Sequence, residues 1–212
     1  MFDLAGTIQD LAVRIPVFLL ALTVHEFAHG WIADRLGDRT ARLQGRLTLN
    51  PLAHLDPIGT LAIVLIGFGW AKPVPVDYRY FNHPRRDMMV VAVAGPVSNL
   101  VLGAACAFCY RMIPWAVMGA EWAWLILPLR AVVRTGVWVN VVLAVFNLLP
   151  VPPLDGSRVV SGVLPLRHAI TYSRLEPYGF VIIFLLFFTG IMDPIFGLAV
   201  RSLTLALFRM WG

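Results

Sequence analysis

The feature that most constrains the fold is an apolar run at residues 11–33, which is long enough to cross a lipid bilayer as a helix. At a rise of about 1.5 Å per residue, such a helix reaches roughly 35 Å, whereas the hydrocarbon core of a bilayer is about 30 Å thick. Similar runs lie at residues 88–113 and 131–149, and two shorter ones lie at 178–192 and 195–208. The sequence therefore predicts an all-α polytopic membrane protein, a bundle of about four to six transmembrane helices.

The composition supports a membrane environment. Hydrophobic residues make up 59% of the chain and charged residues 14%, whereas soluble domains have about 45–50% and about 25%. The net charge of +5 comes from bases spread through short loops, which favours anionic lipid headgroups over nucleic acid. We expect a single membrane domain over residues 1–212. Because residues 1–10 contain no Lys or Arg, we also expect the first run to be retained and not cleaved as a signal peptide.

The segments between the long runs suggest a membrane orientation. Residues 58–70 are apolar but too short to span, so we predict a re-entrant segment there. Alternating apolar residues at 74–80 could form a short strand or β-hairpin, and the proline-rich residues 150–177 are predicted to be a loop. Most of the 17 Lys and Arg residues fall in 34–57, 71–87 and 150–177. These three loops share one side if residues 58–70 dip in and return, and the positive-inside rule makes that side cytoplasmic.

The first apolar run contains the pattern H-E-x-x-H, formed by His25, Glu26 and His29. On a helix, residues four apart project from one face, so both imidazoles can bind one divalent metal ion. Glu26 is angularly offset and is free to take a proton from an attacking water, whose pKa a zinc ion lowers toward about 7. Three ionisable groups inside an apolar span are costly, which favours a functional cluster over an inert polar patch at the interface.

A catalytic zinc site generally has three protein ligands, and Asp155 is the best candidate for the third. It follows the third span, on the side of the membrane where the His25 and His29 end of the first span lies. Prolines at 150, 152 and 153 would end the helix and let the aspartate turn inward. Asp155-Gly156 is also a common turn pair, and the spacing alone leaves both interpretations open.

His25-Glu26-x-x-His29, Asn147-x-x-Pro150 and Leu154-Asp155-Gly156 together resemble the site-2 protease family of intramembrane metalloproteases. Residues 45–51, 54–60, 69–76 and the Ala94-Gly95-Pro96-x-x-Asn99 pattern are also similar to that family. The likeness covers about residues 20–160. It is greatest to the short bacterial and archaeal members, since no PDZ or CBS module accompanies the motifs.

The resemblance implies that His25, His29 and Asp155 bind Zn²⁺ and that Glu26 is the general base. It also implies that Asn147 holds the substrate or stabilises the oxyanion. Asn140 lies on nearly the same helix face and could share that role or form an interhelical hydrogen bond. Asn99 is either a packing or a substrate-facing amide, and His54 is either a loop histidine or a residue that lines the site.

The expected function is an intramembrane zinc metalloprotease that hydrolyses peptide bonds in or near transmembrane helices, for regulated proteolysis or signal-peptide clearance. Its partners would be the lipid bilayer, transmembrane protein substrates and regulatory membrane proteins. Its expected location is a prokaryotic cell membrane, with the active site nearer the cytoplasmic side. The main alternative is a metal-ion transporter, which usually needs polar residues along a route through more than one span. A catalytically inactive scaffold would be expected to have lost His25, Glu26 or His29.

Overall fold

The structure is a computed structural model that describes residues 4–59, 71–113 and 120–211. Its helices are α1 (Leu4–Arg35), α2 (Thr40–Leu43), α3 (Pro84–Met112), α4 (Ala123–Asn147), α5 (Asp155–Val163), α6 (Leu166–Ser173), α7 (Gly179–Phe188) and α8 (Asp193–Arg209). Short 3₁₀ helices lie at Pro51–His54, Tyr78–Tyr80, Ala120–Trp122 and Glu176–Tyr178. The predicted all-α polytopic fold is confirmed.

Four helical stretches within the described residues are long and apolar enough to cross a membrane: Asp10–Arg35, Pro84–Met112, Ala123–Asn147 and Leu166–Phe188. The first three correspond to the three long apolar runs. The fourth begins inside the region predicted to be a loop, so that prediction was wrong for much of residues 150–177, where α5 and α6 lie. Proline is compatible with a helix start, and Pro165 directly precedes α6; proline content therefore did not exclude helices there.

The described residues include no β-strand, and the one isolated antiparallel bridge among them, between Leu55 and Ala71, lies outside the predicted hairpin. Residues 72–77 have no regular secondary structure, and Tyr78–Tyr80 is a 3₁₀ helix, so a strand over 74–80 was wrong. The carboxylate of Asp77 accepts a hydrogen bond from the Arg79 N–H and thereby caps this helical turn. Most of the predicted re-entrant segment, residues 60–70, lies outside the described residues.

The centre of the bundle is formed by α1, α3 and α4, with α5 packed on α3 and α8 packed on α4. Small residues allow these helices to approach closely. A Cβ atom on Gly136 would lie 2.7 Å from Cys106 Sγ, so the thiol of Cys106 on α3 packs against α4 at this glycine. Many large apolar side chains point outward instead, among them Leu20, Val101, Trp138 and Phe184. This arrangement suits a lipid environment, which solvates apolar surface without cost.

Candidate metal centre

His25 and His29 lie one turn apart on α1, and their imidazoles meet inside the bundle. Their Nε2 atoms are 3.0 Å apart, and both side chains are buried. The rings meet edge to face, with centroids 4.6 Å apart. The expectation that both imidazoles project from one helix face is therefore met by the structure.

Asp155 reaches the same point from a separate part of the chain. Helix α4 ends at Asn147, Leu154 is extended, and Asp155 is the first residue of α5. Its Oδ2 atom lies 3.1 Å from His25 Nε2 and 3.2 Å from His29 Nε2. Asp155 thus begins a helix that faces the histidines. The candidate ligand atoms of the three residues lie within 4.8 Å of one another.

The hydrogen bonds of the two imidazoles decide what this cluster can bind. His25 Nδ1 contacts the amide oxygen of Asn99 at 2.6 Å, and His29 Nδ1 contacts the carbonyl oxygen of Val91 at 2.7 Å. Because both oxygens are acceptors, each Nδ1 carries a hydrogen, and in the neutral ring each Nε2 then presents a lone pair. Asp155 Oδ2 is buried and has no hydrogen-bond partner. Three acceptor atoms therefore converge with no hydrogen between them, and a metal cation fits this arrangement.

An ion triad without metal fits less well. Protonating both imidazoles would place two positively charged N–H groups at the two Nε2 positions, which are only 3.0 Å apart. Like charges at that distance repel strongly in a buried site. The donor set of two imidazoles and one carboxylate is also the combination expected of a catalytic zinc site.

Gly95 on α3 provides the wall behind the two imidazoles. A Cβ atom at this position would lie 2.5 Å from His29 Nε2 and 2.6 Å from His25 Nε2. Only glycine therefore allows α3 to approach the centre this closely. Gly156, the residue after Asp155, has a similar constraint, because its Cβ would overlap the backbone carbonyl groups of Leu148 and Leu149.

Glu26 lies next to this cluster on α1. It is not one of the three described residues, His25, His29 and Asp155, whose side chains could bind one metal ion together. The side chain is buried, and its Oε2 atom accepts a hydrogen bond from the backbone N–H of Val74 at 2.9 Å. One carboxylate oxygen is therefore fixed by the main chain. The other oxygen, Oε1, is available to a water molecule or a substrate group.

Val74 belongs to residues 72–77, a segment without regular secondary structure that we call the strap. Asp38, which is fully buried, accepts the N–H of Asp77 at 2.7 Å, and Arg46 donates to the carbonyl oxygen of Lys72 at 2.8 Å. Hydrogen bonds to Arg79 lower the pKa of the Asp77 carboxyl group below its usual value, so this end of the strap carries an ion pair at neutral pH. The strap is thus held at Glu26 and at both ends.

The remaining candidate residues, three asparagines and one histidine, differ in the hydrogen bonds that their side chains form. Asn140 is buried and accepts from Asn99 Nδ2 at 2.9 Å, which is the interhelical hydrogen bond that was one of its two interpretations. Asn147 donates to the carbonyl oxygen of Leu143 in its own helix. His54 is buried and bonds through Nε2 to the carbonyl oxygen of Thr48, as a loop histidine does. Asn99, left open by the sequence, contacts His25 directly.

Gly95, Gly156 and the Val74 N–H were not identified as parts of the site by sequence reasoning. Gly95 could have been found from the sequence, because it lies four residues before Asn99 and therefore shares a helix face with this candidate residue. No sequence pattern identifies the Val74 N–H, because it is a backbone group brought to Glu26 by tertiary structure.

The fold and the site together define a class: a polytopic membrane protein with a buried His-His-Asp cluster that fits a metal ion, and an adjacent glutamate. The profile described as Peptidase family M50 matches residues 123–190. The chain is 42% identical to Putative zinc metalloprotease YwhC of Bacillus subtilis over 183 residues, which cover 82% of this chain and 80% of YwhC. It is 30% identical to Putative zinc metalloprotease Rip2 of Mycolicibacterium smegmatis over 89% of this chain and 74% of Rip2.

A shorter match relates the chain to Regulator of sigma-E protease RseP of Escherichia coli, at 31% identity over 43% of this chain and 23% of RseP. No solved structure matches the chain. The chain belongs to peptidase family M50, the site-2 protease family, and it is an integral membrane metalloprotease.

Proposed function

We propose that this chain hydrolyses peptide bonds within or near transmembrane helices, with one zinc ion held by His25, His29 and Asp155. The observation that carries the proposal is the convergence of two imidazole lone pairs and one buried carboxylate oxygen within 3.2 Å. This geometry matches the three protein ligands of a catalytic zinc site. The cofactor is Zn²⁺, and the whole chain, residues 1–212, forms one catalytic domain.

Glu26 is the general base in this mechanism. When bound, zinc acts as a Lewis acid that polarises the scissile carbonyl and increases the acidity of water. Glu26 takes a proton from the attacking water while the water oxygen bonds to the carbonyl carbon. The same carboxyl group then gives that proton to the departing nitrogen as the C–N bond breaks. The Val74 N–H holds Oε2 and so presents Oε1 to the reacting atoms.

Asn147 is proposed to bind the substrate or to stabilise the oxyanion. Its contact with Leu143 uses one of its two amide hydrogens, and the second is available for a substrate carbonyl. Asn140 is a weaker candidate for this role, because its amide oxygen accepts from Asn99 and its nitrogen donates to the carbonyl oxygen of Gly136. A role in holding helices together accounts for Asn140 better.

The strap is proposed to receive the substrate. A helical substrate must unwind before cleavage, because its carbonyl groups are hydrogen-bonded within the helix. The strap is not helical and passes Glu26, and the main-chain groups of Val76, between Val74 and Asp77, form no hydrogen bond with the described residues. An unwound substrate segment pairing with Val76 by β-addition would be brought alongside the catalytic glutamate.

The substrates are transmembrane proteins, cleaved either for signalling or for clearance of signal peptides, and regulatory membrane proteins control access to the site. The location is a prokaryotic cell membrane, with the metal centre nearer the cytoplasmic face. The positive-inside rule supports this orientation, because Arg35, Arg46, Lys72 and Arg85 all lie at the end of the bundle that holds the centre. A transporter is not favoured, because the family is a peptidase family.

The test is cleavage of a model transmembrane peptide by the full chain in detergent or proteoliposomes. Glu26→Gln is expected to retain one zinc ion per chain and to lose activity by about 10²–10⁴-fold, the usual contribution of a general base. Glu121→Gln, which removes a carboxylate outside the site, is the matched control. Retained proteolysis in Glu26→Gln would reject the base assignment. Zinc transport into proteoliposomes without peptide cleavage would favour the transporter.

A further inference from the structure

A chain of buried amides links three helices and ends at the metal centre. Asn140 Nδ2 on α4 donates to the carbonyl oxygen of Gly136 at 2.8 Å, and Asn140 Oδ1 accepts from Asn99 Nδ2 on α3 at 2.9 Å. Asn99 Nδ2 also donates to the carbonyl oxygen of Ala21 on α1 at 3.0 Å. Asn99 Oδ1 then accepts from His25 Nδ1 at 2.6 Å. Both amides are almost completely buried, with exposed fractions of 0% and 1%.

Two backbone carbonyl groups, those of Gly136 and Ala21, fix the direction of every hydrogen bond in this series of amides. The carbonyl oxygens of Gly136 and Ala21 can only accept, so each must face an amide nitrogen. The Gly136 oxygen therefore turns the Asn140 oxygen toward Asn99, and the Ala21 oxygen turns the Asn99 oxygen toward His25. Rotating Asn99 by half a turn would place its oxygen against the Ala21 carbonyl and its nitrogen against His25.

We propose that Asn99, supported by Asn140, is a positioning residue that keeps the hydrogen of His25 on Nδ1 and directs the Nε2 lone pair at the metal. The proposal rests on the proposed function, since it takes His25 as a zinc ligand. A neutral histidine in water exchanges between its two tautomers, and only the one with a free Nε2 can bind here. His29 offers an internal comparison, because its Nδ1 bonds to the backbone oxygen of Val91 and needs no side chain.

The competing explanation is that Asn99 and Asn140 only pack the helices together. The two explanations differ for a variant that restores the hydrogen-bond direction with a different side chain. A threonine at position 140 can donate to the Gly136 oxygen one turn earlier and accept from Asn99, as Thr23 already donates to the Leu19 oxygen. Leucine at position 140 fills similar space but can do neither.

The experiment uses the full chain in detergent with four variants: Asn99→Leu, Asn140→Leu, Asn140→Thr and the control Ser98→Ala. Ser98 is adjacent to Asn99 on α3, and its hydroxyl donates to the Gly95 oxygen of the same helix. The first measurement is ¹⁵N NMR of the histidine rings in metal-free protein, at a pH well above the usual histidine pKa of about 6.5. His25→Asn identifies the His25 signals. The second measurement is zinc affinity by competition with a chelator.

We expect the His25 ring to be protonated on Nδ1 in the wild type, Ser98→Ala and Asn140→Thr, and to shift toward the Nε2-protonated form in Asn99→Leu. Zinc affinity should fall by about 10–100-fold in Asn99→Leu, as for loss of other groups that orient metal ligands. Asn140→Leu should show a smaller loss, because the Ala21 carbonyl still orients Asn99, and Asn140→Thr should restore the wild-type value.

The proposal would be overturned if His25 kept its Nδ1 hydrogen in Asn99→Leu, or if Asn140→Thr and Asn140→Leu bound zinc equally weakly. Should Asn99→Leu fail to fold, the Asn140 pair decides the matter, since both variants keep Asn99. Failure of the proposed function gives a different result. In that case the wild type itself would not bind zinc through His25, while the tautomer measurement in metal-free protein would still report on the amide chain.

Discussion

Two features hold the histidine rings of this site in position: the lack of a side chain at Gly95, and a hydrogen bond at the Nδ1 atom of each ring. Gly95 excludes a side chain from the space occupied by two imidazoles, and each imidazole is held by a hydrogen bond through its Nδ1 atom. The rings therefore cannot move aside cheaply to admit even a methyl group. The Gly95-Pro96-x-x-Asn99 pattern thus supplies both a close approach to the histidines and a hydrogen-bond acceptor for one of them.

Replacing Gly95 with alanine is predicted to displace one or both imidazoles and to weaken zinc binding by more than about 10-fold, because metal sites tolerate little misplacement of their ligands. The added methyl group should also destabilise the fold by about 1–3 kcal/mol through overpacking. The measurement is zinc affinity by chelator competition, together with thermal unfolding of the metal-free protein. Gly197→Ala is the control, since among the described residues no atom beyond its own stretch of helix and its chain neighbours lies within 4 Å of its added Cβ. Unchanged zinc affinity in Gly95→Ala would contradict the close packing described.

At the residue scale, sequence reasoning selected the proposed site residues on α1 because their spacing is local. His25, Glu26 and His29 share one helix, so helical geometry alone predicts that the two imidazoles meet and the glutamate does not. Asp155 could not be chosen over a turn residue by spacing, because its position depends on how the chain after α4 folds back. The contact of Asn99 with His25 was likewise beyond the sequence, since it joins helices far apart in the chain.

At the scale of elements, the strap is held in place by groups on α1 and in the loop after it. Glu26 Oε2 binds its middle, and buried Asp38 accepts the N–H of Asp77 while also accepting that of Thr40 at 2.9 Å. The periodicity of residues 74–80 predicted a strand or hairpin, but the described residues 72–77 have no regular secondary structure and residues 78–80 form a 3₁₀ helix. The strap is tied to carboxylates and not to a neighbouring described strand, since Pro73 and Pro75 lack N–H groups for a regular ladder.

Replacing Asp38 with alanine is predicted to release one end of the strap. The Asp77 and Thr40 N–H groups, which are partly buried, would lose their acceptor, at a cost of about 1 kcal/mol for a typical hydrogen bond. Thermal unfolding in detergent should therefore begin at a lower temperature, and peptide cleavage should fall while zinc remains bound, because the strap is separate from the metal ligands. Asp10→Ala, which removes an exposed ion pair with Arg14, is the control. Wild-type stability and cleavage in Asp38→Ala would show that the strap does not depend on this residue.

At the scale of the whole molecule, the apolar runs predicted the three central spans, since a helix needs only length and hydropathy to cross a bilayer. The C-terminal part was predicted less well. The fourth span combines α6, a short 3₁₀ turn and α7, and its first half is not markedly apolar. Helices of this kind are defined by their contacts and caps, which hydropathy does not report.

The orientation of the bundle can be tested with single cysteines in intact cells. Tyr78 is exposed near the strap, and Trp122 is exposed near the start of α4, at the opposite end of the bundle. Under the proposed orientation, a membrane-impermeant maleimide should label Trp122→Cys in intact cells and Tyr78→Cys only after permeabilisation. The wild type, with Cys106 and Cys109, provides the background. The reverse labelling pattern would place the metal centre nearer the outer face.

The most direct test of the account is the zinc content of the full chain and of Asp155→Ala, measured by mass spectrometry on purified protein and by chelator competition. The two histidines come from one helix, so only the contribution of Asp155 requires the fold described. We predict one zinc ion per wild-type chain and an affinity at least about 10-fold weaker in Asp155→Ala, with thermal unfolding of the metal-free protein retained. Wild-type zinc affinity in Asp155→Ala would contradict the three-ligand centre.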